Sequence, residues 1–455
     1  MAKAGSTIKH VAVIGGGWAG CAAAIELARA GQQVTLFEAA RTLGGRARRV
    51  ERDGFRLDNG QHILLGAYTD TLRLLKLTGQ DAGTLLLQLP LQMRYPDGSG
   101  GMDFVAPRWP APLHLAWALL RAKGLARADK VALVRFSSAM RWMGWRLYND
   151  CSVAELLARF DQTEQLCRLM WVPLCLAALN TPPERASARV FINVLRDSLG
   201  ARKRSASDML IPKTDLSALF PEAAAQYLAT HGGAVRLGAK VDALAVQADG
   251  RWQLQSGQVP ELFDGVVLAT APVQAAGLLQ PLTVEENLLA RLQGFEYEPI
   301  STCYLQYERS LRLDLPFYAL PDLPQAGHWG QFVFDRGQLD PQQAGLLAVV
   351  ISAAGAATGQ GHAALAQAVA TQLAQVLKQP GLAQPLWTQV ITEKRATFAC
   401  TPDLARPGNA SGLDGLVLAG DYTALEDSAS HYPATIEAAV RSGAEAARML
   451  REQIR

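Results

Sequence analysis

The sequence predicts an α/β protein in which a Rossmann-like nucleotide-binding domain is interrupted by a mixed α+β substrate domain. Three features indicate this: the pattern Gly-x-Gly-x-x-Gly at residues 15–20 after an apolar strand, a second strand that ends in Glu38, and a strand near the other end that closes in Gly420-Asp421. A strand, a glycine loop, a helix and a second strand form the βαβ unit that binds dinucleotides.

The glycines of the first loop have separate physical roles. Gly15 allows the tight turn, Gly17 lets backbone amides approach a pyrophosphate, and Gly20 lets the helix pack closely on the strand. The helix that follows has unpaired N–H groups and the positive end of its dipole at its start. The backbone of Trp18 and Ala19 is therefore included in the predicted diphosphate site.

The second strand is followed by a basic, glycine-containing segment. Glu38 is placed to accept a hydrogen bond from a ribose 2′-hydroxyl, and Arg41-Thr-Leu-Gly44-Gly45-Arg46 comes next. Together these residues resemble the flavin amine oxidases and the carotenoid and squalene-associated desaturases, whose two arginines and two glycines line the pyrophosphate and ribityl path. The resemblance implies FAD, and a FAD-binding domain of the glutathione-reductase-2 type. The alternative for this segment alone is a solvated basic loop.

Length and composition favour a globular protein of several domains. The chain has 455 residues, 49% of them hydrophobic, and a net charge of +3, which is too small to indicate nucleic-acid binding. Its six cysteines contain no CxxC pair, which predicts reduced packing thiols and no metal site. The predicted FAD-binding domain comprises residues 1–79, 206–275 and 410–455, with a helical, membrane-facing insertion at 80–205 and a substrate sheet at 276–409.

No apolar segment approaches the ~18 residues that a membrane span requires. The nearest, Leu169–Leu179, contains Pro173, and the apolar run after His10 is interpreted as the first strand and not as a signal peptide. These features predict a cytoplasmic protein that does not cross the membrane.

A polar segment follows the arginine loop, with Asp58-Asn-Gly60-Gln61-His62-Ile and then Gly66-Ala-Tyr68. It resembles the hydroxysqualene dehydroxylases of the hopanoid pathway more closely than the amine oxidases. In the family this segment passes the flavin, so the resemblance implies that Gly60, Gln61 and His62 lie beside it. The alternative for His62 is a packed histidine bonded to backbone. A helix is predicted over Thr69–Leu77.

The insertion contains two unusual apolar segments. Residues 85–104 predict a hairpin that turns at Pro96-Asp-Gly98. Residues 107–135 mix Trp109, Trp117 and leucines with Arg and Lys, and contain no acid before Asp129. This composition favours a helix in a membrane interface, on the inner face of the cytoplasmic membrane, over an ordinary amphipathic cap helix.

A second apolar segment, residues 171–181, contains Pro173 and resembles the squalene-associated group, which implies the wall of an apolar tunnel; core packing is the alternative. The nucleotide domain resumes with a helix over 216–230 and a strand over 234–237. Members of the superfamily clamp adenine through the backbone of a residue at the position of Val241. A hairpin at Asp249-Gly250 and a strand that ends at Ala269-Thr270 follow.

The last segments predict the substrate sheet and the flavin end. Strands are predicted over 300–307, 328–334 and 346–352, and a helix over 363–377. A strand that ends in Gly420-Asp421 suits a carboxylate that binds ribityl hydroxyls. A helix that starts near Ala434 and Thr435 can direct its amides at the flavin O2, where negative charge develops on reduction.

The resemblance implies FAD-dependent reductive dehydroxylation of hydroxysqualene, an apolar isoprenoid, to squalene. The donor that reduces the flavin is not identifiable from the sequence. Two alternatives stay open: a carotenoid or phytoene-type desaturase, and a non-catalytic carrier of apolar lipids with structural FAD.

Hydroxide leaves poorly, so the reaction needs a proton donor or π faces that stabilise a cation. The candidate acids near the flavin, with His62 favoured, are Asp58, His62, Glu426, Asp427 and His431. The candidate cation-facing rings are those of Tyr68, Trp171 and Tyr422.

Overall fold

The computed structural model of the protein describes residues 8–52, 54–201, 203–424 and 431–454. Up to residue 77, the chain contains the elements β1 His10–Ile14, α1 Trp18–Arg29, β2 Gln33–Glu38, β3 Arg49–Arg52, β4 Phe55–Asp58, β5 Leu64–Leu65 and α2 Thr69–Leu77. The next contains α3 Ala82–Leu85, β6 Leu86–Leu89, β7 Gln92–Arg94, β8 Asp103–Val105, α4 Leu113–Arg121, α5 Arg127–Trp142, α6 Val153–Arg159, α7 Glu164–Leu166, a π-helical turn Cys167–Trp171, α8 Val172–Leu179 and α9 Ala188–Ser198.

The middle of the chain contains β9 Met209–Pro212, α10 Leu216–Leu219, α11 Pro221–Thr230, β10 Ala234–Leu237, β11 Ala243–Val246, β12 Trp252–Gln255, β13 Glu261–Phe263, β14 Gly265–Leu268, α12 Pro272–Leu279 and α13 Glu286–Gln293. The remainder contains β15 Tyr297–Gln306, β16 Phe317–Ala319, β17 Phe332–Asp335, β18 Leu346–Ile351, α14 Gly355–Thr358, α15 His362–Val376, β19 Trp387–Phe398, β20 Leu416–Leu418 and α16 Ile436–Gln453.

A parallel five-stranded sheet in the order β10-β2-β1-β14-β20 organises the nucleotide-binding part. Its strands come from the beginning, the middle and the end of the chain, and those flanked on both sides are almost wholly buried. Helices α1 and α16 pack closely, since a Cβ added at Gly443 would lie 2.1 Å from the Ala19 carbonyl oxygen. This architecture confirms the predicted α/β class and its Rossmann-like sheet.

A second five-stranded sheet, in the order β16-β17-β18-β15-β19, is antiparallel throughout. One face packs against α15, whose apolar residues Leu365, Val369 and Leu373 are fully buried. The other face contributes Phe332, Phe334 and Val350 to the cavity described below. The predicted strands β15, β17 and β18 are present, and β17 is shorter than the predicted 328–334.

Four features differ from the sequence predictions. The hairpin predicted over 85–104 is shorter than expected: β7 pairs with β8 around the loop that contains Pro96-Asp-Gly98, whereas β6 pairs with β9. The predicted helix over 216–230 is broken at Phe220, and α11 starts at Pro221, where a missing N–H costs nothing. The interfacial segment is two helices, since Gly124 between them has a positive φ of 77°.

The fourth difference is β19, which the sequence did not predict. Residues 387–393 and 397–398 pair with β15, and the ladder has an irregularity between Glu298 and Ile300. The charged run 393–395 lies at that irregularity, and Lys394 and Arg395 are exposed. Because of these consecutive charged residues, the sequence lacks the alternation of apolar and polar residues that is typical of a strand. Within the described residues, no helix has the length and apolarity to cross a membrane.

Candidate FAD and substrate site

The first glycine loop is fixed by close backbone packing at the carboxyl end of the parallel sheet. Gly15 has a φ of 105°, and a Cβ there would lie 2.5 Å from the Ala269 carbonyl oxygen. A Cβ at Gly20 would lie 1.9 Å from the Gly15 carbonyl oxygen. Only glycine fits at either position, so β1, α1 and β14 meet here.

Gly17 is different, because protein packing does not require a glycine there. It precedes α1 with a φ of −73°, and a Cβ at Gly17 would approach nothing nearer than the Gly45 Cα at 3.9 Å. The first turn of α1 contains no acidic residue, and no side chain caps it. The space before the helix thus has free amides and the positive end of a dipole, which fits a diphosphate.

The residues predicted to contact the nucleotide surround this loop. Glu38, at the end of β2, accepts hydrogen bonds from the amides of Gly16 at 2.6 Å and Ala40 at 2.7 Å, so its carboxylate is held against the loop. Val241 is buried between β10 and β11. Arg41 is exposed, and its predicted role at the pyrophosphate stays a prediction.

The arginine segment joins the two ends of the chain. Gly44 donates to the Gly16 carbonyl at 2.8 Å, and both Gly44 and Gly45 have positive φ. Arg46 donates to Asp421 at 2.6 Å across 375 residues of sequence. The predicted pyrophosphate segment and the predicted ribityl carboxylate are therefore direct neighbours.

Three buried hydroxyls at this end of the sheets are left without a partner. Within the described part of the chain, the side-chain oxygens of Thr270, Thr302 and Tyr422 have no hydrogen-bond partner. A buried hydroxyl without a partner is costly, at about 1–3 kcal/mol. Together with the space at Gly17, these groups fit a polar cofactor that passes from α1 toward Gly60, whose Cβ position is 4.0 Å from the Thr302 hydroxyl.

A largely apolar cavity of about 490 Å³ adjoins this region. Residues of α4, α5, α8, α9, β17 and β18 line it, among them Leu119, Phe136, Leu174, Val194, Phe334 and Val350. Gln61 reaches the cavity while it donates to the Tyr304 hydroxyl at 2.9 Å and accepts from Arg336 at 3.0 Å. Thr435, the N-cap of α16, is also part of the wall. This geometry suits a long apolar ligand whose one end lies near α16.

The sequence profile of the family described as flavin containing amine oxidoreductase matches residues 18–450. The chain belongs to that family. It is a flavin-containing oxidoreductase, and FAD is its cofactor.

Individual relatives refine this placement. The chain is 31% identical to a protein named hydroxysqualene dehydroxylase from Rhodopseudomonas palustris, over 96% of this chain and 97% of the relative. It is 24% identical to the zeta-carotene desaturase of Arabidopsis thaliana, over 96% and 84% of the two chains. A solved oxidoreductase from Methanosarcina mazei shares the fold, with a TM-score of 0.71, 15% identity, and coverage of 97% and 100%. The resemblance to hydroxysqualene dehydroxylases is thus confirmed over 96% of the chain.

The candidate acids of this flavoenzyme have different surroundings. The Asp58 carboxylate accepts from the Leu216 amide at 2.8 Å, and burial raises its pKa to about 7. His62 Nδ1 lies 3.0 Å from the Gly60 carbonyl oxygen, and burial lowers the pKa of the imidazole. Burial also lowers the pKa of His431. Glu426 and Asp427 lie outside the described residues.

His62 is therefore placed as a neutral, backbone-bonded histidine, which is the alternative given by the sequence. With Nδ1 donating to Gly60, its other nitrogen has no proton to deliver. Neither Asp58 nor His62 is part of the cavity wall. Their roles as proton donors stay predictions.

The candidate rings are also separated by the structure. Tyr68 and Trp171 line the cavity, and Trp171 donates to Gln162 at 2.9 Å. Tyr422 is buried outside the cavity wall, beside Phe295. Of the three rings, Tyr68 and Trp171 can face a ligand in the cavity.

Sequence reasoning missed the ionisable residues at the end of the cavity near α16. Asp197, Tyr432, Glu437 and Arg441 line it, although Asp197 belongs to an amphipathic helix and the others occur around the start of α16. The position of Tyr432 just before the predicted flavin-facing helix was the available signal. Asp197 had none, because its sequence neighbours resemble those of any surface helix.

Proposed function

We propose that the protein uses FAD to remove the hydroxyl group of hydroxysqualene reductively, which yields squalene for hopanoid synthesis. The observation that carries this proposal is the 31% identity to a hydroxysqualene dehydroxylase over nearly the full length of both chains. The apolar cavity supports it, because a hydrocarbon substrate gains about 25 cal/mol for each Å² of apolar surface removed from water.

We infer that the cofactor extends from the glycine loop to the start of α16. The residues proposed to bind it are Gly15, Gly17, Trp18, Ala19, Gly20, Glu38, Arg41, Gly44, Gly45, Arg46, Gly60, Gln61, His62, Val241, Ala269, Thr270, Gly420, Asp421, Ala434 and Thr435. Reduced FAD supplies a hydride to the carbon that loses its hydroxyl. The chain must orient that carbon, exclude water and deliver one proton, so that the oxygen leaves as water.

A carotenoid-type desaturase is the second candidate, since zeta-carotene desaturases align over most of this chain. It would take hydride from a hydrocarbon instead of giving it. The charged residues in the cavity favour dehydroxylation, because buried charges are costly and offer nothing to a pure hydrocarbon. The carrier alternative is not retained, because the protein belongs to a family of oxidoreductases.

The test is a single turnover without oxygen. Purified protein is reduced with dithionite, freed of excess reductant, and mixed with hydroxysqualene, squalene or phytoene. We expect hydroxysqualene alone to reoxidise the flavin, with one squalene formed per flavin. Reoxidation of the flavin by none of the three, together with oxidised protein that dehydrogenates phytoene, would contradict dehydroxylation and support the desaturase.

A membrane is the proposed source of the substrate. The rings of Trp109 and of Trp117 in α4 lie 4.8 Å apart at the surface, where Leu113 and Leu120 are 59% and 69% exposed. The exposed charges around them are basic, whereas Asp129 is buried and accepts from the Ala126 amide. This combination of aromatic, aliphatic and basic side chains suits an anionic lipid surface.

The same helices connect that surface with the cavity. Leu113 of α4 and Val134 of α5 are both half or more exposed, and both also line the cavity. An isoprenoid dissolved in the bilayer could therefore enter between α4 and α5 without crossing water. This arrangement supports peripheral contact through residues 107–135.

We expect the protein to sediment with vesicles that contain phosphatidylglycerol and to be released by salt, because ions screen the attraction between basic residues and headgroups. The double change Trp109→Ser and Trp117→Ser should weaken binding at least about ten-fold, since the loss of roughly 60 Å² of buried apolar area has that effect. The control is Leu386→Ser with Val259→Ser, two exposed apolar residues elsewhere. Equal sedimentation of both double variants would assign residues 107–135 to an ordinary cap.

A further inference from the structure

One end of the apolar cavity contains a cluster of ionisable side chains. The Tyr432 hydroxyl donates to Asp197 Oδ2 at 2.7 Å and accepts from an Arg441 nitrogen at 2.6 Å. All three residues line the cavity, between α9 and the start of α16. The cluster therefore presents a phenol, a carboxylate and a guanidinium to whatever occupies the cavity.

Further contacts hold the cluster rigidly. Arg196 donates to the other Asp197 oxygen at 2.8 Å, and Arg441 donates to Glu437 at 2.8 Å. Glu437 also accepts from the Thr71 hydroxyl at 2.7 Å, which ties α16 to α2. Because every charge is paired, the phenol has one defined position at the cavity wall.

The phenol retains the capacity to bind an alcohol. A tyrosine hydroxyl has one donor proton and two acceptor lone pairs. In Tyr432 the proton is directed at Asp197, and the oxygen interacts with both Arg441 and Arg196, so its lone pairs are used within the cluster. A substrate hydroxyl can therefore bind by accepting the phenol proton in place of Asp197, and that proton can transfer to the substrate oxygen as its bond to carbon breaks.

We propose that Tyr432, positioned by Asp197 and Arg441, binds the hydroxyl group of the substrate and donates the proton with which that group leaves as water. This inference rests on the proposed dehydroxylation. The carbon–oxygen bond breaks, and its electron pair takes the Tyr432 proton to form water. A carbon–hydrogen bond forms with the hydride from reduced FAD. The phenolate is stabilised beside the Arg441 cation and regains a proton from solvent.

The pH dependence separates Tyr432 from His62 as the donor. Burial and the hydrogen bond to Asp197 raise the pKa of Tyr432 to about 12, against the opposing charges of Arg441 and Arg196. Its phenol therefore keeps its proton through neutral pH. Burial lowers the pKa of His62 below its ordinary value, so an imidazolium donor would already be lost at neutral pH. We expect single turnovers of prereduced enzyme to keep their rate from about pH 7 to 10.

A binding measurement tests the hydroxyl site without turnover. The oxidised holoenzyme is titrated with hydroxysqualene and with squalene, and binding is followed by the flavin absorbance spectrum. We expect wild type to prefer hydroxysqualene about 5- to 15-fold, as one hydrogen bond contributes roughly 1–1.5 kcal/mol. Tyr432→Phe should bind both ligands equally, whereas a tyrosine that only ties α9 to α16 would leave the preference unchanged.

The single-turnover rate is the second measurement. Tyr432→Phe should lose about 10²- to 10⁴-fold, the usual contribution of a general acid, with full flavin content and normal reduction by dithionite. Tyr307→Phe is the matched control, because Tyr307 is a buried tyrosine that donates to the Leu382 carbonyl at 2.7 Å in the other sheet. Asp197→Asn retains an acceptor for Tyr432 without the charge, and it should slow turnover even if Tyr432→Phe proves unstable.

The outcomes distinguish the two proposals. A flavin-replete Tyr432→Phe protein with wild-type preference and rate would overturn the role of Tyr432 and leave dehydroxylation intact. Wild type that fails to convert hydroxysqualene, yet loses its preference for it on Tyr432→Phe, would support the hydroxyl site and overturn the proposed function. Wild type with neither conversion nor preference would overturn both.

Discussion

Gly17→Val is expected to give a folded protein that has lost its FAD and is colourless. Any residue can adopt the backbone of Gly17, and its Cβ would meet no protein atom nearer than 3.9 Å. The valine side chain would instead occupy the space before α1 that we assign to the pyrophosphate. The measurements are the flavin absorbance of the purified protein and the circular dichroism spectrum.

The matched control is Gly277→Val in α12. Gly277 also has a Cβ position free of neighbours within 4 Å, but it is exposed and lies in α12, outside the glycine loop. We expect that variant to be as yellow as wild type. A yellow Gly17→Val protein would contradict the assignment of this loop to the cofactor.

Arg406→Met is expected to lower the free energy of unfolding by about 3–5 kcal/mol. It leaves several buried carbonyls without a hydrogen-bond donor, and each unpaired carbonyl costs about 1–3 kcal/mol. Arg406 is 8% exposed and donates to the carbonyls of residues 421–423 and of Tyr432, at distances from 2.6 to 2.9 Å. It therefore holds the predicted ribityl strand end and the Tyr432 backbone together. Chemical denaturation followed by flavin fluorescence measures the loss.

Two further variants make this prediction specific. Arg406→Lys should destabilise nearly as much, since one ammonium cannot reproduce the planar fork of a guanidinium. Arg448→Met removes an exposed arginine that pairs with Glu445 and Glu452, and we expect a change within about 0.5 kcal/mol. An Arg406→Met protein as stable as Arg448→Met would show that water can replace these contacts.

The parts of the fold that local sequence patterns determine could be predicted. The glycine loop, β1, β2, α1 and α2 were recognisable because glycine spacing and apolar periodicity are properties of consecutive residues. The pairing of β6 with β9 was not, since it joins residues more than a hundred positions apart. The role of Arg406 could not be predicted for the same reason. It is a single arginine in a segment rich in proline and glycine, and only the tertiary structure brings its four carbonyl partners together.

The cofactor side of the site was more predictable than the substrate side. FAD follows from motifs and from family resemblance, whereas the cavity is lined by residues from six or more elements that are far apart in the sequence. Asp197 and Tyr432 are 235 residues apart in sequence but 2.7 Å apart in space. His62 was favoured because it neighbours a family segment, yet its hydrogen bond to its own backbone could only be recognised in three dimensions.

The assembly of the parallel sheet from both ends of the chain determines when this protein can acquire its cofactor. The ion pair between Arg46 and Asp421 can form only after a further 375 residues have been synthesised. A ribosome working at about 5–20 residues per second needs roughly 19–75 s for this. Until then β14 lacks β20, and α1 lacks the helix that covers its small residues. The complete cofactor site can therefore form only after β20 and α16 have been synthesised, and until then the small residues of α1 have to be protected by other means.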